Sequence, residues 1–434
     1  MNEITFSYRD HPAQSELYCE DVPLAKLVSD FGTPLYVYSQ SQILENFRSF
    51  KKAIEKSSGR NYVSYAVKAN SNVEILKLLA AEGAGASVVS GGELRTTIRA
   101  GFNPNKITFD GPGKTDEEIT LALASNIFAI DVESLQELYV IDEIAGKLGI
   151  KARICIRVNP HIDAKTHPYI STGLSGNKFG IAIDDSSEVY QIAHDLPNIE
   201  ISGIHCHIGS QITDLSVFIE AAESLEQFIY KLKKDTGITL KHINFGGGQA
   251  TNYHNVIKHS SLPVIDGEKR PLFSFEELAN TILPILTRTG CSVNVEPGRS
   301  IVANSGVLLT TVLYTKSNGS KNFAIVDAGM SDLIRPSLYH AYHQIIPLSL
   351  QTNSPTNVVD IVGPICETAD FLAQNRMLPI VSRGDFLAVM CTGAYGYVLA
   401  SNYNLRPRAA EILVDRSSYR IIREREKIEN ITTY

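Results

Sequence analysis

The chain has 434 residues, and 40 Lys and Arg against 47 Asp and Glu give a formal net charge of −7 at pH 7. This balance leaves no basic surplus to neutralise a nucleic acid backbone or an anionic membrane, so we expect neither partner. Six scattered cysteines without a CxxC pair argue against a disulfide framework or a thiolate zinc site. The start of the chain contains no apolar signal segment and no run long enough to cross a bilayer, which predicts a cytoplasmic protein.

The N-terminal stretch to residue 39 predicts an alternating strand at 4–8, a short helix from Pro23 and a strand at 35–38. From residue 61 onward, β-branched and aromatic runs alternate with amphipathic segments, a pattern typical of βα units around a parallel sheet. Eight such units favour a closed (β/α)8 barrel of the TIM type over an open doubly wound sheet. The predicted barrel strands are 62–66, 86–89, 107–110, 127–131, 152–158, 201–206, 242–245 and 293–296.

Two helices between these strands have a clear pattern. Asn72 can cap a segment that carries Ile75, Leu76 and Leu79 before Gly83. A second apolar stripe runs from Phe218 to Leu232 and ends before Gly237. We interpret both stripes as core.

Beyond residue 304 the pattern changes to alternating strands, at 306–317, 322–328, 386–392 and 410–415, with few helical periods. This predicts an all-β domain. We expect residues 40–304 to form the barrel, and residues 1–39 and 305–434 to form a β domain that the N-terminal segment joins. No low-complexity linker separates the two parts.

The carboxyl ends of barrel strands surround the active site, so the residues that follow each predicted strand are the candidates for chemistry. Four strand ends carry such residues. They are Lys68 after strand 1, His205 to Ser210 after strand 6, Gly246 to Gly248 after strand 7, and Glu296 to Arg299 after strand 8.

The glycines at strands 7 and 8 indicate a phosphate site, because backbone N–H groups approach a phosphate closely only where no Cβ intervenes. Gly246 to Gly248 and Gly298 meet this condition. A glycine triplet alone is more often an ordinary tight turn, and its position after strand 7 is what favours phosphate. Ser210 offers a further hydroxyl donor, or caps a helix.

Lys68 is the candidate covalent anchor, because a lysine at a strand end in a low-dielectric cavity favours the neutral amine that condenses with an aldehyde. The simpler interpretation of any single lysine is a solvated surface residue. A position across the barrel mouth from a phosphate loop instead favours a Schiff base with pyridoxal phosphate. Glu296 can then hold a proton at the pyridine nitrogen. An ion pair between Glu296 and Arg299 is the structural alternative.

His205 and His207 alternate along a predicted strand, an arrangement that would also suit a metal-dependent hydrolase. Such a site needs further ligands at other strand ends, and the sequence shows no convincing set. We therefore predict no metal, and we assign His207 to stacking on an aromatic cofactor ring.

The sequence resembles the diaminopimelate decarboxylase family of fold-type III pyridoxal phosphate decarboxylases over nearly its whole length. The motifs that carry the resemblance are Tyr65 to Asn70, Val88 to Leu94, His205 to Gln211, Glu296 to Ser300, Asp332 to Pro336 with Tyr339, Gly363 to Glu367, Gly393 to Gly396 and Ser401 to Asn404. The resemblance implies decarboxylation of meso-2,6-diaminopimelate to L-lysine, the last step of lysine biosynthesis, in a homodimer.

It also implies a role for individual residues. Lys68 carries the cofactor, His207 stacks on its ring and Glu296 meets the pyridine nitrogen. The phosphate ligands would be Ser210, Gly248, Gly298 and Tyr395. The substrate ligands would be Arg299, Arg335, Tyr339 and Tyr395 for the distal carboxylate, and Glu367 for the distal ammonium. Cys366, a catalytic residue, and Glu367 would reach the site from the partner subunit.

Two departures from the family pattern stand out. Ser87 replaces the usual aspartate, so one charge near the Lys68 amine is missing, and Gln249 to Tyr253 differ from the usual loop. Three alternatives stay open at this point. The first is a decarboxylase of the same fold that acts on another basic amino acid or on a D-amino acid. The others are a catalytically silent cofactor-binding homologue and the metal-dependent hydrolase.

Overall fold

The computed structural model describes residues 5–10, 14–56, 60–164, 166–167, 173, 177–263, 272–351 and 354–432. In chain order, the strands are β1 (Phe6–Asp10), β2 (Ser15–Cys19), β3 (Val22–Pro23), β4 (Leu35–Ser39), β5 (Tyr62–Ala66), β6 (Gly85–Val88), β7 (Ile107–Phe109), β8 (Ala129–Val132), β9 (Ala152–Asn159), β10 (Ile181–Ala182), β11 (Ile199–His205), β12 (His242–Asn244), β13 (Ser292–Val295), β14 (Gly306–Asn318), β15 (Lys321–Val326), β16 (Ile345–Pro347), β17 (Ser349–Leu350), β18 (Thr356–Val362), β19 (Phe371–Pro379), β20 (Phe386–Val389), β21 (Ala410–Asp415) and β22 (Ser418–Arg423).

The α-helices alternate with the strands of the first half of the chain and are sparse in the second half. They are α1 (Leu24–Phe31), α2 (Gln40–Glu55), α3 (Val73–Ala81), α4 (Gly91–Arg99), α5 (Asp116–Ala124), α6 (Leu135–Leu148), α7 (Ile183–Asp195), α8 (Leu215–Thr236), α9 (Phe275–Thr287), α10 (Arg299–Val302), α11 (Arg335–Tyr339) and α12 (Ile428–Thr432).

Two compact units make up the chain. The barrel unit contains residues 47–250 and 271–298, and the β unit contains residues 1–46, 251–270 and 299–434. The sequence-based domain limits, between residues 39 and 40 and between residues 304 and 305, remain a prediction. In the part of the chain that the structure describes, no helix has both the length and the apolar character that crossing a membrane requires.

The barrel unit contains a closed parallel sheet, as predicted. Among the described residues, eight strands pair in the order β5, β6, β7, β8, β9, β11, β12 and β13, and β13 pairs back onto β5. All of these pairs are parallel, and the short strand β10 adds only an outer pairing to β9. Strands β6, β8 and β12 are buried along their whole length, because helices cover a parallel barrel outside and side chains fill it inside.

The barrel helices begin where the sequence offers a capping side chain. The side chain of Asn72 accepts a hydrogen bond from the N–H of Glu74 at the start of α3, as predicted. Helices α5 and α9 begin with capping boxes built on Thr115 and Ser274. Helix α8 ends at Gly237, which takes the left-handed conformation with a φ of 78°.

The β unit brings the two ends of the chain together. Strand β4 pairs antiparallel with β14 and parallel with β21, so the N-terminal segment is part of a sheet that the C-terminal strands complete. Strands β1, β2, β3 and β17 form a second, smaller sheet. The predicted fold class is thereby confirmed, since a (β/α)8 barrel accompanies an all-β part that the N-terminal segment joins.

We expect the apolar face of α8 to contribute strongly to stability. Leu225 is fully buried, whereas Leu148, near the end of α6, is 42% exposed. The variant Leu225→Ala should lower the free energy of unfolding by about 2–5 kcal/mol, because it leaves a cavity. Leu148→Ala, the matched control, should change it by less than about 0.5 kcal/mol. Urea unfolding followed by circular dichroism measures both, and equal losses would contradict the assignment of this face to the core.

Candidate active site

Lys68 lies two residues beyond β5, in a tight turn of residues Val67–Ala69. The hydroxyl of Tyr65 donates to the carbonyl of Asn70 at 3.0 Å, and the Asn70 N–H donates to the Val67 carbonyl at 3.1 Å. Both bonds fix the turn that carries the lysine. The Lys68 side chain is half-buried.

Glu296 follows β13 and is buried. Its Oε1 accepts hydrogen bonds from Thr108 Oγ1 at 2.8 Å and Asn244 Nδ2 at 2.7 Å. Burial raises the pKa of Glu296 to about 8, and the negative charge of Asp110 adds to the rise. The carboxyl group therefore holds a proton at neutral pH in the free barrel.

His205 ends β11 inside a buried group of acidic side chains. Its Nδ1 is 3.3 Å from Asp131 Oδ2 and 3.8 Å from Asp110 Oδ1, and its Nε2 is 3.9 Å from Glu296 Oε2. Burial lowers the pKa of His205 to about 3, so the ring is neutral at physiological pH.

Asp110 and Asp131 are buried carboxyl groups whose pKa values shift in opposite directions. Burial, followed by the hydrogen bond and charge of Asp110, raises the pKa of Asp131 well above its usual range. Burial also opposes ionisation of Asp110, but hydrogen bonds from Asp131 and Ser87 and the nearby positive charges outweigh it and lower the pKa of Asp110. The Ser87 hydroxyl donates to Asp110 Oδ2 at 2.5 Å, and Asn244 Nδ2 is 3.2 Å from Asp131 Oδ2.

The sequence shows no convincing partner ligands for a metal beside the histidines, whereas the structure brings two carboxyl groups close to His205. Ligand atoms of Asp110, Asp131 and His205 all lie within 4.8 Å of one another. The strand ends at His205, and His207 has different contacts, so the two histidines do not form the metal-binding pair that the alternating spacing suggested.

His207 lies beyond β11 and is partly exposed. The N–H of Gly247 donates to His207 Nδ1 at 3.2 Å, which places the ring proton on Nε2 and fixes the ring orientation. Burial, followed by the charge of Lys68, lowers the pKa of His207 well below its usual range. A neutral, oriented imidazole of this kind suits stacking on an aromatic ring.

The glycine loop after β12 packs closely on the neighbouring strand ends. A Cβ on Gly247 would lie 2.2 Å from the Glu296 carbonyl oxygen, and one on Gly298 would lie 2.9 Å from the Ala69 Cβ. Gly248 has a φ of 118°, a conformation that other residues rarely adopt. The close packing accounts for these glycines by itself. The N–H of Gly247 already donates to His207, so the backbone N–H groups of Gly248 and Gly298 are the ones that suit a phosphate. Ser210 is half-buried beyond β11.

Glu93 is a further acidic group of the barrel unit. From the sequence it was named only as part of the motif Val88 to Leu94. Its carboxylate accepts a hydrogen bond from the Val89 N–H at 2.9 Å near the start of α4. Burial raises the pKa of Glu93 to about 7, although that hydrogen bond and the charge of Lys68 oppose the rise. Glu93 is therefore only partly ionised at neutral pH.

The β unit holds two buried arginines that share one neutral acceptor. Nη1 of Arg299 donates to the Tyr253 hydroxyl at 2.7 Å, and Nη1 of Arg335 donates to the same oxygen at 3.2 Å. The Arg335 guanidinium also lies 5.0 Å from the Tyr253 ring centroid. Two guanidinium groups at one hydroxyl concentrate positive charge, which makes this cluster suitable for binding a carboxylate.

Neighbouring side chains orient the arginine cluster. His343 Nδ1 is 2.8 Å from the Met390 carbonyl, so this nitrogen carries the proton and Nε2 accepts from Arg335 Nη1 at 3.1 Å. The Arg299 guanidinium lies 5.0 Å from the Tyr395 ring centroid. Tyr339, at the end of α11, is half-buried.

Cys366 and Glu367 are both exposed in the β unit. The other five cysteines are buried, as expected for most of them. The N–H of Cys366 donates to Asn404 Oδ1 at 2.9 Å, which ties this turn to the family motif near residue 404. Both side chains are therefore open to a partner.

Sequence reasoning missed Asp110, Asp131, Asn244, Tyr253 and His343. The first three lie at or next to barrel strand ends, and a search for every polar residue there would have found them. Tyr253 lies in the loop that departs from the family pattern, and nothing in its spacing indicates the contact with two arginines.

The barrel residues fit pyridoxal phosphate. They provide an amine at Lys68, a proton-bearing carboxyl at Glu296 and a neutral imidazole at His207. Glycine loops at two neighbouring strand ends add backbone N–H donors. This donor set has the aldehyde anchor, ring partners and phosphate donors that the cofactor requires.

Comparisons with known proteins agree with this assignment. Residues 40–303 match the family model of the pyridoxal-dependent decarboxylase, pyridoxal binding domain. Diaminopimelate decarboxylase of Aquifex aeolicus is 48% identical over 98% of this chain and 96% of its own length. The corresponding protein of Vibrio cholerae is 44% identical over 98% and 97%.

Solved structures agree with these relatives. Diaminopimelate decarboxylase from Helicobacter pylori, complexed with L-lysine, is 42% identical with a TM-score of 0.86 over 94% of this chain and 98% of its own. The M. jannaschii enzyme in co-complex with L-lysine is 36% identical with a TM-score of 0.89 over 98% and 96%. This chain therefore belongs to the diaminopimelate decarboxylase family of pyridoxal-dependent decarboxylases.

Proposed function

We propose that this chain converts meso-2,6-diaminopimelate to L-lysine and carbon dioxide, with pyridoxal phosphate attached to Lys68. The observation that carries the choice of substrate is the arginine cluster, in which Arg299 and Arg335 donate to one neutral hydroxyl. A substrate with a second carboxylate has a use for two such cations, whereas lysine, ornithine and arginine have no second carboxylate to offer.

Bound pyridoxal phosphate supplies an electron sink for the pair of electrons left when carbon dioxide departs. The protein residues do the positioning. The Lys68 amine anchors the cofactor, and the proton on Glu296 is the one that the pyridine nitrogen shares. His207 provides a flat neutral surface, and the backbone N–H groups of Gly248 and Gly298, with Ser210 and Tyr395, bind the phosphate.

The substrate ligands orient the bond that breaks. Arg299 and Arg335, with Tyr339 and Tyr395, hold the distal carboxylate, so that the carboxylate at the D centre is the one that leaves. Tyr253 keeps the two guanidinium groups together. Glu367 binds the distal ammonium, and Cys366 takes part in the chemistry from the partner subunit of a homodimer. A cytoplasmic location stays a prediction.

The anchor is tested with Lys68→Ala. This variant should show no cofactor adduct at position 68 after borohydride reduction and peptide mapping. Its release of carbon dioxide from meso-diaminopimelate should fall by about 10²–10⁴-fold, because the anchoring and proton-transferring amine is gone. Lys77→Ala, which changes an exposed lysine on α3, is the control and should behave like the wild type. Wild-type turnover by Lys68→Ala would refute the anchor assignment.

The arginine cluster is tested with Tyr253→Phe, which keeps the ring but removes the shared acceptor. We expect KM for meso-diaminopimelate to rise about tenfold or more with a smaller change in kcat, since a hydrogen bond to a charged group contributes about 1.5–3 kcal/mol. Tyr342→Phe is the matched control, because among the described residues its buried hydroxyl has no hydrogen-bond partner. Parallel assays with lysine, ornithine and arginine complete the test. An unchanged KM, or faster turnover of a plain basic amino acid, would contradict the assignment.

The shared site is tested by mixing subunits. Dissociated and reassociated Lys68→Ala and Cys366→Ala chains should regain about one quarter of wild-type activity, because half of the dimers are mixed and each contains one intact site. Lys68→Ala mixed with His207→Ala should regain nothing, because each site takes both residues from the barrel of one chain, and every site therefore keeps one of the two changes. If mixed dimers form and the first pair also stays inactive, Cys366 does not act across a dimer.

A further inference from the structure

One negative charge in the barrel unit has no role in the function proposed above. Asp110 follows β7 directly and is only 4% exposed. Its Oδ2 accepts the hydroxyl proton of Ser87 at 2.5 Å, and its N–H donates to the Val88 carbonyl at 2.8 Å. Both contacts hold the carboxylate against β6.

The pairing of the strands places this carboxylate near the anchoring lysine. Ser87 pairs with Ala66 at the end of β5, and Lys68 follows Ala66 by two residues. The Asp110 carboxylate is within one hydrogen bond of Ser87, so it lies beside the strand end from which Lys68 extends. The charge of Lys68 is accordingly among the causes that lower the pKa of Asp110.

Of the carboxyl groups on which the charge of Lys68 acts, Asp110 is the one whose pKa is lowered. The charge of Lys68 also acts on Glu93 and Glu296, but their pKa values are raised to about 7 and about 8. Burial, followed by the hydrogen bond and charge of Asp110, raises the pKa of Asp131 well above its usual range. The titratable groups that interact with Asp110, taken from all the elements near it, are Lys68, Glu93, Asp131, Cys155, His205, His207 and Glu296.

We propose that Asp110, held by the Ser87 hydroxyl, is a positioning residue that supplies the negative charge at the nitrogen of Lys68, from β7 instead of β6. The proposal rests on the proposed attachment of the cofactor to Lys68. It gives the departure at position 87 a physical meaning, because the charge that Ser87 lacks is present on the next strand. Moving the carboxylate back to position 87 should therefore preserve its effect.

The test is a spectroscopic pH titration of the cofactor-loaded protein, which does not depend on turnover. A nearby carboxylate stabilises a positive charge on the nitrogen that links lysine and cofactor, so removing it should lower the midpoint pH of the absorbance change. We expect Asp110→Ser and Asp110→Asn to lower this midpoint by about one pH unit or more. Asp110→Asn keeps the shape of the side chain and serves if the serine variant folds poorly.

The decisive variant is the exchange Ser87→Asp with Asp110→Ser, which should return the midpoint close to the wild-type value. Asp360→Ser is the matched control, because Asp360 is an equally buried aspartate, also 4% exposed, that pairs with Lys321 in the β unit. It should leave the midpoint unchanged. A wild-type midpoint in both single Asp110 variants, or no recovery in the exchange variant, would overturn the proposal.

Two further measurements separate the possible failures. Borohydride mapping of each variant shows whether the cofactor is attached to Lys68. If the Asp110 variants carry the adduct at Lys68 and their midpoints are unchanged, only the role of Asp110 is contradicted. If the wild-type protein carries no adduct at Lys68, the proposed function itself is contradicted. A chelator that lowers the wild-type midpoint as far as Asp110→Ser does would show that Asp110 acts through a bound cation, which also overturns the proposal.

Discussion

The parallel closure of the barrel is the constraint on which the rest of the site depends. Because every strand runs in the same direction, all eight carboxyl ends meet at one rim, and residues more than 200 positions apart become neighbours. The hydrogen bonds from Thr108 and Asn244 to Glu296 also join different strands, across 188 and 52 residues of the sequence. An open sheet would not bring the two ends of the strand order together in this way, because β5 pairs with β13 only when the sheet closes.

Closure also forces several carboxyl groups into one buried volume, and this decides their protonation. Two unit charges about 4 Å apart repel by about 4 kcal/mol at an effective dielectric constant of 20. Protonating an ordinary carboxyl at pH 7 costs a similar amount, and the loss of hydration adds several kcal/mol against each buried charge. Protonation therefore wins for Asp131 and Glu296, and Asp110 keeps the charge because hydrogen bonds and positive neighbours favour it.

Much of this arrangement could be predicted from the sequence, since strand periodicity locates the strand ends and the strand ends locate Lys68, His207 and Glu296. The contacts between strands could not be predicted in the same way. Nothing local indicates that the Ser87 hydroxyl reaches Asp110, because this bond depends on the pairing of β6 with β7. Tyr253 was missed for a related reason: its two arginine partners are 46 and 82 residues away in the sequence.

Our proposal places on Asp110 a negative charge that the family pattern places at position 87. The charge and the residue that carries it therefore need separate treatment. Adjacent strands lie about 4.8 Å apart, so a residue moved to the next strand shifts its backbone by that distance. The side chain of Asp110 compensates for this shift, because its Oδ2 reaches back to within 2.5 Å of the Ser87 hydroxyl. Electrostatic energy depends on the distance between charges and not on the strand that carries them. A comparison of single positions therefore records Ser87 as the loss of a charge, whereas the folded barrel holds the Asp110 carboxylate within a hydrogen bond of the Ser87 hydroxyl.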